Sequence, residues 1–103
     1  MKIYKQSYRN NGSRSKVVDF ENGTRCLISY NTCVACIKDG QFYRLWNGYS
    51  ATTMKHLWEF GCDANKNEWL KMEVHSLTNL IGFDNAREVF RVISNNSCKY
   101  AWF

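Results

Sequence analysis

Cys33-Val34-Ala35-Cys36 comes nearest to a chemical motif in this chain, because two thiols at that spacing make half a zinc site or a redox pair. A tetrahedral zinc site would have to draw two more ligands from Cys26, His56, Cys62, His75 or Cys98, and no second paired motif stands among them. On a regular strand, residues three apart point to opposite faces, which works against both thiols reaching one ion. The pattern predicts no metal and no cofactor, with the thiols acting as small buried hydrophobes. His56 and His75 could act as bases and Cys36 or Cys62 as a nucleophile, yet none sits in a local signature with a positioned carboxylate. Asp63, Glu68 and Glu73 are too scattered for a carboxylate pair. His56, next to Lys55, reads as a surface or helix-capping residue. These absences argue against an enzyme.

Charge and aromatic content carry more. The 103 residues hold 14 Lys and Arg against 9 Asp and Glu, a net charge of +5, and the excess is local. Lys2, Lys5, Arg9, Arg14 and Lys16 all precede the first acidic residue, Asp19, and beyond them basic and acidic residues balance. A basic N-terminal arm on a neutral body invites two kinds of partner. Cations with Tyr4, Tyr8, Phe42, Tyr43 and Trp46 suit phosphates and stacked bases. Aromatics with Arg are equally the side chains enriched at protein-binding hot spots. The expected partner surface is Lys2, Lys5, Arg9, Arg14, Lys16, Arg44, Trp46, Lys55 and His56. Lysines on an edge strand also serve simply to discourage edge pairing. No helix-turn-helix, zinc-finger or ribonucleoprotein signature is present. Pattern alone does not sort Trp46, Trp58, Trp69 and Trp102 into core and surface, but at least one should anchor a partner.

The elements that must position these residues divide at Tyr49–His56. Before it the hydrophobic period is two, and after it Met54, Leu57, Trp58 and Phe60 follow helical spacing. Residues 2–8 suit a strand, and 9–15 have the composition of a mobile loop. Runs at 16–20 and 25–30 flank Asn22-Gly23, a strong hairpin signal. Strands at 34–37 and 41–46 flank Lys38-Asp39-Gly40. A short helix over 53–60 follows, with Ser50, Thr52 and Thr53 at its entrance, Gly61 at its end, and Met54, Leu57 and Trp58 facing the sheet. Leu70, Met72 and Val74 alternate with Lys71, Glu73 and His75, which favours a strand at 69–75. Trp69, Leu70, Glu73, Leu77, Leu80 and Ile81 also fit a helix. Ser76 caps and Gly82 ends a further short helix, and Asp84 is the N-cap of the next. Cys98–Phe103 reads as an edge strand or docked tail. The fold class is α+β, an antiparallel meander of three to five strands with short helices packed on one face, in a single domain over residues 1–103. An open meander leaves an edge on which two copies could pair.

The order Ser15-Lys16-Val17-Val18, a Phe-Glu-Asn-Gly turn, Tyr30-Asn31-Thr32-Cys33-Val34-Ala35-Cys36-Ile37, Gly40, Tyr43 and Tyr49-Ser50-Ala51-Thr52-Thr53-Met54-Lys55-His56 resembles a family of small uncharacterised proteins. Bacteriophages and mobile elements encode that family. The resemblance spans roughly residues 15–60, and Tyr49-Ser50-x-Thr52-Thr53-x-Lys55-His56 is its most specific piece. It departs at Cys33, Cys36 and the extension from Cys62 onward. The resemblance implies an accessory protein in a bacterial cytoplasm that inhibits a host defence nuclease or CRISPR effector by stoichiometric binding, in the manner of anti-CRISPR proteins. It supplies no catalytic residues. A start of Met-Lys-Ile-Tyr-Lys without an apolar stretch, and the lack of a long apolar run, fit that cytoplasmic setting with no membrane partner.

Overall fold

Left-handed residues at tight turns set the registers of the sheet. A computed structural model describes residues 1–6 and 14–101, with side chains as far as Asn95. Its strands are β1 (Lys2–Lys5), β2 (Ser15–Asp19), β3 (Arg25–Ser29), β4 (Thr32–Lys38) and β5 (Gln41–Arg44), each antiparallel to the next and in chain order across the sheet. Between β2 and β3, Gly23 takes φ 89° and the Asn22 side chain accepts from the Thr24 N–H at 3.0 Å. Asp39 and Gly40, both at positive φ (53° and 77°), form the two-residue turn from β4 to β5. Asn and Gly signals at these turns were sufficient to predict them. The turn from β3 to β4 is less obvious in sequence, because it puts the bulky Tyr30 at φ 56°.

Four helices follow: α1 (Ala51–Phe60), α2 (Lys66–Lys71), α3 (Leu77–Ile81) and α4 (Phe83–Ala101). Ser50 caps α1 by accepting from the Thr53 N–H at 3.1 Å. Gly61, at φ 125°, ends it by donating to Leu57 and Trp58 carbonyls. Residues 69–75 are not the strand that their alternation favours. Asn65 accepts from the Glu68 N–H at 2.9 Å while its amide donates to the Glu68 carboxylate at 3.1 Å, a reciprocal cap that starts α2. Of the alternating positions, Leu70 and Val74 are exposed, whereas Trp69 is fully buried. Only Val74 pairs in strand fashion, in an isolated bridge to Arg44. Asp84 lies within the first turn of α4, one residue inside its start, and is not the cap. Residues 98–101 continue α4 and are neither strand nor tail; Trp102 and Phe103 lie outside the described residues.

The chain is α+β as expected, but its helices do not share one face. Val17, Leu27, Val34 and Ala35 pack with Leu57, Phe60 and Trp69 from α1 and α2. Val18, Cys26, Ile28 and Cys36 pack on the other face with Leu77, Ala86, Val89 and Val92 from α3 and α4. Both sheet faces are apolar at alternate positions, so both need a cover. β1 lies at the margin of this three-layer body. Among the described residues it pairs only with β2, and all four of its residues are exposed. No described helix is long and apolar enough to cross a membrane.

Candidate functional site

The Tyr49–His56 motif is a junction between sheet and helix. Ser29 at the end of β3 lies 3.0 Å from the Thr53 hydroxyl and 2.9 Å from His56 Nδ1, and all three side chains are buried. Burial pushes the His56 imidazole below its ordinary range, so it is neutral at pH 7 and Nδ1 can accept the Ser29 hydroxyl proton. The Tyr30 ring sits 5.8 Å from the imidazole, tilted at 50°. Ser29, Tyr30, Trp46, Tyr49, Ser50 and Thr53 border a pocket of about 220 Å³. A hydroxyl beside an imidazole has the parts of a nucleophile and its base. Here Ser29 is only 2% exposed, and among the described residues no carboxylate pairs with His56. The arrangement fits a polar pin that fixes α1 on the sheet.

Two of the expected partner residues are therefore corrected. His56 belongs to this pin and is not a surface or capping residue. Arg44 is 3% exposed, because its guanidinium donates to the carbonyls of Trp46, Trp69 and Met72 at 2.7, 2.8 and 3.1 Å and lies 4.8 Å over the Trp69 ring. Its own carbonyl accepts from the His75 N–H at 2.7 Å. Arg44 clasps β5 to α2 and is not available to a partner. Trp46 is half-buried against the same cluster, so close to Gly48 that a Cβ there would fall 2.5 Å from the indole. Lys55 is exposed on α1, on the side away from Leu57 and Phe60. Trp58 was expected to face the sheet and instead is 65% exposed on that outer side. Among the described residues it is the exposed tryptophan, and sequence pattern did not single it out.

Lys5, Lys16 and Arg14 of the basic arm converge at one end of β1 and β2, whereas Lys2, at the other end of β1, faces Asp19. Lys2 and Lys5 are exposed on β1, Lys5 is the cross-strand partner of Lys16 on β2, and Arg14 is exposed where β2 begins. Arg9 lies outside the described residues. Ile3 and Tyr4 stand between the two lysines on opposite sides of the strand, 46% and 42% exposed. Tyr4 was among the aromatics expected to act with these cations, and Ile3 is the member of the margin that the sequence reading missed, although its place is written in Lys2-Ile3-Tyr4-Lys5.

The thiols also differ from expectation. Cys36 pairs with Cys26 and Cys33 with Ile28, so Val34 is an extra residue between Ala35 and Cys33. This bulge puts Val34 and Ala35 on one face and returns Cys33 to the face of Cys36, against the strict alternation that would separate them. Among the described residues no group of three His, Cys, Asp or Glu side chains could hold a metal ion.

A model of a family of unknown function (DUF8033) matches residues 1–76, and the chain belongs to that family. The match takes in the whole sheet, α1 and α2, and ends before α3. No curated protein and no solved structure matches the chain.

Proposed function

We propose that this member of a family of unknown function is a non-catalytic binding protein that attaches stoichiometrically to a larger partner along β1. The observation that supports this reading is the composition of the sheet margin. A strand whose only task was to repel other edges would need its lysines. It would not need Ile3 and Tyr4 held about half exposed between them. Backbone groups that pair with nothing else among the described residues, two apolar side chains, and Lys5 with Lys16 and Arg14 at one end of the strand together suit an extended acidic segment laid against the edge. The like charges along β1 disfavour a second copy of the chain there.

The nature of the partner rests on the resemblance of residues 15–60 to small proteins of phages and mobile elements. On that ground we propose a host defence nuclease, a CRISPR effector among them, with this chain as its inhibitor in a bacterial cytoplasm. Nucleic acid is the second reading, favoured by the exposed Tyr4 ring among cations. An affinity capture from bacterial lysate, with and without nuclease and at two salt concentrations, separates the two. A stoichiometric protein that survives nuclease and the higher salt is the expected result. Recovery of nucleic acid alone, lost as salt rises, would overturn the inhibitor reading in favour of phosphate binding.

A further inference from the structure

Three thiols share the sheet face beneath α3 and α4. Cys33 faces Ile28, two residues along β3 from Cys26, so the three thiol positions are neighbours on that face. Cys26 and Cys36 are buried, and they face each other directly across β3 and β4. Cys33 is half-buried and is the only one of the three to border open space, a pocket of about 430 Å³ shared with Thr32, His75, Ser76, Phe90 and Ser94. Cys62 lies on the opposite face among the α1 and α2 contacts.

We propose that this row is an oxidation site for a small hydroperoxide, entered at Cys33 and closed as a disulfide between Cys26 and Cys36. The Cys33 sulfur attacks the peroxide, the O–O bond breaks, one oxygen stays on sulfur as a sulfenic acid, and the other leaves with the thiol proton as water or alcohol. The Cys26 sulfur then attacks that of Cys33; the S–O bond breaks and hydroxide leaves as water with the Cys26 proton. Cys33 faces Ile28, two residues along β3 from Cys26, a diagonal that strains a disulfide. Cys36, directly opposite, next attacks Cys26 and releases Cys33 as a thiol, its own proton passing to the Cys33 sulfur. Overall two thiols lose two electrons and two protons to one peroxide. The order of events has support in the environment of each group. The neighbouring thiols and burial push both Cys26 and Cys36 up, so neither competes with Cys33 for the peroxide.

Hydrogen peroxide added to the purified, reduced full chain tests this directly by mass and peptide mapping. The expected result is loss of two hydrogens, a cross-link between the peptides of Cys26 and Cys36, and a rate at least about tenfold slower in Cys33→Ser, which alters only a half-buried position. In Cys26→Ala, a dimedone adduct should accumulate on Cys33. A wild-type chain that keeps all its thiols, a Cys33→Ser chain that cross-links at the wild-type rate, or a dimedone adduct confined to Cys62 or Cys98 would each overturn the proposal. A circular dichroism spectrum of each variant matching the wild type establishes that the comparison is made between folded chains.

Discussion

Arg44 stands between the two halves of the chain. A guanidinium that satisfies three carbonyls and stacks on Trp69 holds α2 and the Val74 bridge against β5. Lysine carries the charge without the planar fork, so it cannot keep these donors in place. Arg44→Lys should cost about 2–3 kcal/mol, since buried carbonyls lose charge-assisted partners. Urea unfolding is the check, and a midpoint within error of the wild type would contradict the clasp. His56 makes a prediction of a different kind. Its folded value is depressed by burial from an ordinary 6.5. Above that value both states are neutral and the group contributes no pH dependence. As pH falls through it, the unfolded chain binds a proton that the folded chain resists, so stability falls with falling pH. His56→Asn should flatten the loss between about pH 7 and about pH 5, read from urea midpoints across that range. Neither role was legible from composition, because a lone Arg on a strand and a His beside a Lys look like solvent-facing residues until their partners are known.

Among the elements, those written in local chemistry were the ones that sequence reading recovered. Gly23 and Asp39-Gly40 take positive φ, Ser50 accepts an N–H of α1, and Gly61 and Gly82 stop helices; each signal lies within a few residues of its effect. What required tertiary knowledge was lost. Alternation at Leu70, Met72 and Val74 suggested a strand, and the demand to bury Trp69 prevailed. The Asn65-x-x-Glu68 cap was the available local signal for α2. Asn65→Ala should therefore cost about 1 kcal/mol, a drop in melting temperature of roughly 4–8 °C for a chain of this size. A scanning calorimetry trace unchanged by the substitution would contradict the cap. The Val34 bulge was likewise invisible, since an extra residue leaves no mark in a run as uniform as Thr32–Lys38, yet it decides which thiols meet.

At the scale of the molecule, the helices are divided between the two faces of one sheet. The family match ends at residue 76, so the part shared with the family holds the sheet and the cover of one face, while α3 and α4 cover the other. Sequence reading placed all helices on one side because each strand was judged by its own alternation, and two apolar faces in alternate register resemble one apolar run. With both faces covered, and besides Trp58 and Lys55 on α1, the β1 margin is one place where apolar and basic side chains meet solvent together. The proposed attachment along β1 stands or falls there. The most direct measurement is retention of the captured partner by a Lys5→Glu, Arg14→Glu double variant, beside its melting temperature. These side chains are exposed, so the melting temperature should stay near that of the wild type, while charge reversal should weaken retention at least about tenfold. Undiminished retention by a folded double variant would contradict binding through the basic edge.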